Sequence, residues 1–390
     1  MHVINSLGLS GGAEQQLVAN LARFADPAIG HHVVYLYGGD PRISWEGGMG
    51  VPVTALNGPR ETSSLLSSGI HLHRLVRRLD PDLIHCSLLD ASLVSRVVGR
   101  LTGTPVLESL VNISHEPIRT VDSGAVKLWK LRIYKYLDRL TMRRVTAFHA
   151  LTGEVARSWV DTVGIDPTRI TVIPRGVSAD MLDEARLDPA DRLDLRSELT
   201  GAPDGLLVLA VGREEPQKGQ RYLLDAFAEV RKSRNDAHLV MAGRPGSSSP
   251  ALERQIEDLG LSGSVHRLGV RTDVYRLMRA ADVMAFPSLY EGLGVSLIEA
   301  MGSALPVIVF DRPPMNQIVE HERTGLVVPE RDSHALAQAI ITLASDTDRA
   351  ARLGELAARE IRSDYDMDRT SQRLEELYRS ILDTTAGAGH

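Results

Sequence analysis

Short apolar runs alternate with helix-length amphipathic stretches along the whole chain, and this rhythm is what most limits its possible folds. A run of four to seven apolar residues followed by a helical pattern is the mark of a parallel strand with its crossover helix. In the first half the strand candidates are 3–7, 32–37, 51–56, 82–88, 105–111, 146–151 and 170–173. Helical patterns at 14–24, 64–79, 91–101 and 127–144 lie between them. Residues 178–204 break the rhythm with scattered charge and no clear strand, and read as a linker with a short helix. The alternation restarts at 206–211 and continues through 238–242, 265–268, 283–286, 306–310 and 325–328. An amphipathic helix at 369–382 closes the chain, before a tail, 384–390, expected to fray.

Two such series imply an α/β protein with two Rossmann-like parallel-sheet domains facing a cleft. The predicted divisions are 1–177, a linker at 178–204, 205–365 and a terminal helix segment at 366–390. At 390 residues each domain can bury its own core. Ligands of open parallel sheets bind beyond the carboxyl ends of the strands, so loops at those ends are the places to search.

The most informative of these loops is Ser288-Leu-Tyr-Glu-Gly-Leu-Gly-Val-Ser-Leu-Ile-Glu-Ala-Met301, in which Glu291 and Glu299 bracket seven residues. It leaves an apolar strand, turns through Gly292 and Gly294, and enters a helix whose first amides are free to meet an anion. Two carboxylates beside an anion-attracting helix end suit a ligand with both hydroxyls and phosphates, such as a nucleotide sugar. Apolar Leu297, Ile298, Ala300 and Met301 surround Glu299, which argues against a merely solvated position.

Arg213 follows another strand end, and Lys218 comes five residues later, just before Gly219 and a helix. Cations there can neutralise a diphosphate leaving group. The alternative is a solvated loop charge paired with Glu214 or Glu215. Gly11-Gly12-Ala13-Glu14 follows the first strand and opens a helix, without the Gly-x-Gly-x-x-Gly spacing of a dinucleotide site.

Taken together, Gly11–Glu14, Ile173-Pro-Arg-Gly-Val177, Val211-Gly212-Arg213 with Lys218-Gly219, and the stretch from Glu291 to Val307 resemble the family-4 retaining glycosyltransferases. The resemblance runs over nearly the whole chain. It implies the GT-B fold, with the last helix crossing back to the first domain. It also implies transfer of a sugar from a nucleoside-diphosphate sugar, UDP favoured and GDP next, to a hydroxyl acceptor, with retention and without a metal or other cofactor. In that family Arg213 and Lys218 would hold the diphosphate, Glu291 the donor-sugar hydroxyls and Glu299 the ribose. Gly292, Leu293, Gly294 and Val295 would complete the cradle. Gly269, Val270 and Arg271 would lie at the nucleobase, and Gly11, Gly12, Gly212 and Arg244 elsewhere along the donor.

The chain departs from the family pattern in places. The usual first-domain His position reads Val111 followed by Asn112, so Asn112 and the displaced His115 become candidates for sugar or acceptor contact. The usual Gly-Gly-x-x-Glu loop reads Pro313-Pro-Met-Asn-Gln317, and Ala304 stands where glycine is common. The acceptor is expected to be a lipid-linked or polysaccharide intermediate, with a small metabolite as the alternative. A GT-B epimerase, phosphorylase or degenerate sugar-nucleotide sensor stays open as a further alternative.

Residues 127–144 carry seven basic residues, one acid, and Trp129, Tyr134 and Tyr136, which suits an anionic membrane face or an ordinary packing helix. No apolar run reaches the roughly 18 residues of a bilayer span, and a formal charge of −6 argues against general nucleic-acid binding. The lone cysteine, Cys86, fits a reducing cytoplasm. Asp364-Tyr-Asp-Met-Asp368 resembles an acidic metal motif but is better explained as the start of the last helix.

Overall fold

The structure is a computed structural model that describes residues 1–7, 12–37, 50–58, 62–113 and 128–387. The chain forms two compact units. Among the described residues, the first comprises those up to 113, those from 128 to 176 and those from 367 to 387; the second comprises Val177–Asp366.

In the first unit the order is β1 (His2–Ile4), α1 (Gly12–Leu21), β2 (Val33–Tyr37), β3 (Val53–Gly58), α2 (Thr62–Leu79), β4 (Ile84–Ser87) and α3 (Leu89–Thr102). Then come β5 (Val106–Leu110), α4 (Leu128–Thr141), β6 (Ala147–Ala150), α5 (Gly153–Val163) and β7 (Ile170–Val172). The second unit holds α6 (Ala179–Glu184), α7 (Pro189–Thr200), β8 (Leu207–Val211), α8 (Gln220–Ser233), β9 (His238–Ala242) and α9 (Ser249–Asp258). It continues with β10 (Val265–Gly269), α10 (Val274–Ala280), β11 (Val283–Phe286), α11 (Val295–Gly302), β12 (Val307–Phe310) and α12 (Met315–Ile318). It ends with β13 (Leu326–Val328), α13 (Ser333–Ser345) and α14 (Thr347–Asp364), and α15 (Met367–Gly387) returns to the first unit.

Among the described residues every sheet pairing is parallel. The strand orders are β3-β2-β1-β4-β5-β6-β7 and β10-β9-β8-β11-β12-β13. Helices on both faces require strands apolar on both faces, and β5, β11 and β12 are buried at every position. No helix among the described residues is long and apolar enough to cross a membrane.

Residues 178–204 are not an open linker. Their two helices belong to the second unit, where Leu182 is fully buried. Arg196 is buried too, donating to Ala280 O at 2.8 Å, to Pro203 O at 2.7 Å and to Asp282 at 3.0 Å.

Within the first unit α15 is fastened by polar as well as apolar contacts. Leu374, Tyr378 and Ile381 pack with Leu83, Leu107 and Ile173. Glu375 accepts from the amide of Asp26 at 3.0 Å, and Arg379 pairs with Asp26 at 2.7 Å. Gly176 lets the chain pass, since a Cβ there would sit 2.2 Å from Met367 Cα.

Beneath α15 runs a buried hydrogen-bonded chain. The Tyr378 hydroxyl meets His85 Nδ1 at 2.8 Å, and His85 Nε2 meets Ser109 Oγ at 2.8 Å. Ser109 Oγ meets His149 Nδ1 at 2.9 Å, and His149 Nε2 meets Ile173 O at 2.8 Å. Burial, with nearby His149 and the amino terminus, lowers His85 to about 3. Burial, opposed by the Ile173 carbonyl and aided by Arg175 and Arg373, lowers His149 to about 4.

Both folded values lie below the usual 6.5, so the native state takes up fewer protons than the unfolded chain at mildly acid pH. Stability from these histidines is complete above about pH 6.5 and is lost as pH falls towards the folded values. The urea midpoint should therefore drop between about pH 7.5 and about pH 5, and His85→Gln should shrink the drop. Identical pH slopes for wild type and variant would refute the assignment.

Candidate donor-binding site

Three loops at the carboxyl edge of the second sheet carry the residues singled out from the sequence. The loop after β8 brings Gly212, Arg213 and Lys218; that after β11 brings Glu291 to Gly294; that after β10 brings Val270 and Arg271. Gly212, Gly243 and Gly269 stack at adjacent strand ends, with Gly212 N donating to Ala242 O at 2.9 Å and Gly243 N to Gly269 O at 2.8 Å. A Cβ on Gly243 would meet Gly212 O at 2.0 Å, so this edge has room for backbone only.

The centre of the site is an ion pair. Lys218 Nζ stands 2.6 Å from Glu291 Oε1, with side-chain exposures of 16% and 9%. Lys218 also lies 5.3 Å from the centre of the Phe286 ring, a cation–π contact that further fixes its head. Gly219 makes the approach possible on two counts: its φ is +63°, and a Cβ there would fall 2.0 Å from Pro287 O. Leu289 N donates to Gln217 O at 2.8 Å, and Gln217 Nε2 to Tyr290 O at 3.1 Å, so the two loops are sewn together beside the pair.

Arg213 is exposed and forms no ion pair among the described residues. Neither suggested partner takes it: Glu214 is buried against Arg267 at 2.6 Å, and Glu215 accepts from the Ser247 hydroxyl. Burial works against ionisation of Glu214, but its bonds to Arg267 and Ser249 outweigh that and hold it below the usual carboxylate range.

Gly294, with φ +86°, caps α11, whose first turn presents unsatisfied amides. Ser296 Oγ ties that turn to Val211 O at 3.2 Å. Glu299 lies farther along α11, half-buried, and accepts from the Tyr275 hydroxyl at 3.0 Å. Burial and then the Glu299 charge push the Tyr275 phenol up. Tyr275 carries no sequence signal of its own, because a tyrosine at a helix start is ordinary until its partner is seen.

Other placements differ from a simple cradle. Arg271 is engaged in a two-pronged pair with Asp273 at 2.8 and 2.7 Å, while Val270 and Arg244 are exposed. In the loop 313–317, Met315 and Pro314 are buried and Gln317 faces outward. Its neighbour Arg312 donates to Leu289 O at 3.3 Å and pairs with Glu330 at 3.4 Å, so this altered loop braces the one bearing Glu291. Gly12 and Asn112 lie in the first unit. Arg175 NH1 donates to Gly12 O at 2.6 Å, and the exposed Asn112 accepts the Trp159 indole proton on its carbonyl at 2.8 Å. Gly11 and His115 fall outside the described residues.

The two parallel-sheet Rossmann-like units define a GT-B protein. Residues 10–181 match the family described as Glycosyltransferase Family 4, and residues 205–346 match Glycosyl transferases group 1. The D-inositol 3-phosphate glycosyltransferase of Corynebacterium glutamicum is 31% identical over 315 residues, 77% of this chain and 72% of that one. The UDP-Gal:alpha-D-GlcNAc-diphosphoundecaprenol alpha-1,3-galactosyltransferase of Escherichia coli is 26% identical over 286 residues, covering 72% and 71%. In fold, the chain is similar to Anabaena Alr3699/HepE in complex with UDP and glucose, with a TM-score of 0.83, 23% identity and coverage of 97% and 99%. The chain belongs to the family-4, group 1 glycosyltransferases.

The pairing separates the two cations experimentally. Lys218→Ala leaves the Glu291 carboxylate buried and alone, and should cost roughly 1–3 kcal/mol of stability. Arg213→Ala should stay within about 0.5 kcal/mol. Both should cut turnover by about 10²-fold or more if both stabilise a leaving diphosphate. Denaturation and steady-state rates on the two variants make the comparison, and equal stability losses would overturn the paired state.

Proposed function

We propose that this glycosyltransferase moves a sugar from a UDP-sugar, with retention, to the hydroxyl of a lipid-linked or polysaccharide glycan intermediate. The observation that carries the donor half of this reading is the Lys218–Glu291 pair between two strand-end loops. Lys218 can exchange its carboxylate for a phosphate oxygen, and Glu291, once released, can accept hydroxyl protons of the donor sugar. Arg213, exposed in the same loop as Lys218, adds a second cation. Glu299, already a hydrogen-bond acceptor from Tyr275, would take the ribose hydroxyls.

In the reaction proposed, the bond between the anomeric carbon and the β-phosphate oxygen breaks, and its electrons remain with the nucleoside diphosphate. Arg213 and Lys218 neutralise that charge, a role that needs no metal in this reading. The acceptor oxygen bonds to the same face of the sugar, and its proton passes to the departing phosphate. UDP is favoured because both the galactosyltransferase relative and the Anabaena structure carry it in their names.

The expected result is that a UDP-sugar, among UDP-, GDP-, ADP- and dTDP-sugars, raises the unfolding temperature and is slowly hydrolysed. Anomeric proton couplings should show the donor configuration in the product. Inversion would refute the mechanism, and stabilisation by GDP-sugars alone would refute the base assignment.

The acceptor half draws on α4. Trp129, Ile133, Tyr136, Leu137 and Leu140 recur at helical spacing and are all exposed, at 56%, 48%, 63%, 37% and 51%. Arg132 and Arg139 are exposed among them. Its inner side is fixed instead by Asp138, 1% exposed, which pairs with buried Arg96 at 2.5 Å. An apolar aromatic stripe facing water, edged by arginine, matches a helix that lies on an anionic membrane surface. Trp129→Ser/Tyr136→Ser should reduce co-sedimentation with phosphatidylglycerol vesicles, and unchanged sedimentation would argue for a soluble acceptor.

A further inference from the structure

The opposite edge of the second sheet holds a feature that the transferase reading does not use. An open basin of about 370 Å³ is lined by Arg186, Arg279 and Arg362 over an apolar floor of Leu187, Ala304 and Ala358. Arg279 ends α10, Ala304 follows α11, and both lead into the amino ends of β11 and β12. The basin therefore lies away from the carboxyl edge, where the donor loops are.

We propose that this basin is a second anion site, built for the phosphate of a small phosphorylated metabolite or an equivalent phosphate headgroup. Three guanidinium groups line one basin, and among the described residues Asp183 is the carboxylate that pairs with any of them. It is shared, at 2.9 Å from Arg362 and 3.1 Å from Arg186. Arg279 forms no ion pair among the described residues. Its two terminal nitrogens hold Ser303 O and Leu182 O, each at 2.9 Å, while its Nε is buried without a hydrogen-bond partner. Burial first, then the neighbouring charges of Arg186 and Arg362, hold Arg279 below the usual guanidinium range.

The carbonyl bonds of Arg279 explain that residue as a strap between α6 and α11. They do not explain why Arg186 and Arg362 crowd it on the side that faces water. A phosphate dianion does, because guanidinium forks match its oxygens in pairs. The volume falls within the roughly 300–1,000 Å³ of small-ligand sites, and the apolar floor leaves room for a compact organic group beside the phosphate.

The test is calorimetric titration of the full chain with inorganic phosphate and with glycerol 3-phosphate. Wild type is compared with Arg186→Gln/Arg362→Gln and with Lys218→Ala, which disables the donor site alone. Saturable binding should survive in Lys218→Ala and weaken roughly tenfold or more in the double variant. Should the double variant unfold, Arg186→Gln, at a side chain 71% exposed, serves for the same comparison.

Phosphatidylglycerol vesicles form the second arm, in a Trp129→Ser/Tyr136→Ser background that silences α4. Vesicle binding lost with Arg186 and Arg362, without a glycerol 3-phosphate response, would identify a headgroup as the source. Binding that is indifferent to Arg186 and Arg362 in both arms, or absent from both, overturns the proposal.

Discussion

Lys218 and Glu291 meet at 2.6 Å, and most of what the second unit can do follows from that approach. It requires the loop after β8 and the loop after β11 to touch backbone to backbone, which glycine at 219 permits and any larger residue would block. Once they touch, Gln217 and Leu289 stitch the loops, Gly294 starts α11, and Glu299 is delivered farther along the same helix. The parallel sheet supplies the other half of the constraint, since all its carboxyl ends open on one edge and short loops there must converge. Charge is thus concentrated where a phosphate-bearing ligand would arrive, with Lys218 balanced by Glu291 and Arg213 left exposed in the same loop.

The fold was legible because parallel strands buried on both faces leave uninterrupted apolar runs. Each of the thirteen strands among the described residues falls on an expected run, displaced by only a few residues at its ends. Some expected runs extend past the strand, as at β1, which stops at Ile4 before the partly buried Asn5 and Ser6 and the buried Leu7. The seating of residues 178–204 in the second unit leaves little trace in the sequence, for a specific reason. The burial of α7 is carried partly by Arg196, whose guanidinium is satisfied by three carbonyls and Asp282, and a charged residue in a scattered pattern gives no sign of such a seat.

The site was legible as a set of residue types at strand ends, and less so as a set of partners. Glu291 and Lys218 are 73 positions apart, so their bond could not be read from local spacing. The same holds for Tyr275 with Glu299 and for Arg312 with Leu289. Arg271 shows the reverse, a cation with a suggestive position whose fork is already filled by Asp273. Position chooses the loop; the hydrogen-bond partners decide which side chains in it are available to a ligand.

Three groupings of arginine or lysine with acid show how burial sets the use of charge. Arg96 lies wholly inside the first unit with Glu108 and Asp138, each at 2.5 Å, so its charge is fully engaged and its role is to hold α3, β5 and α4 together. Lys218 is mostly buried with a single carboxylate, a pairing strong enough to order the loops and open enough for a phosphate to replace one partner. Arg186 and Arg362 are more exposed and share Asp183, which leaves cationic charge in surplus. Removing an interior partner strands a charge in a medium that cannot solvate it, whereas exchanging a partner at a half-open site leaves both charges satisfied. By that criterion the arginine at 96 is architecture, the lysine at 218 sits where exchange of a partner costs least, and the cluster around Arg279 carries more cationic charge than Asp183 offsets.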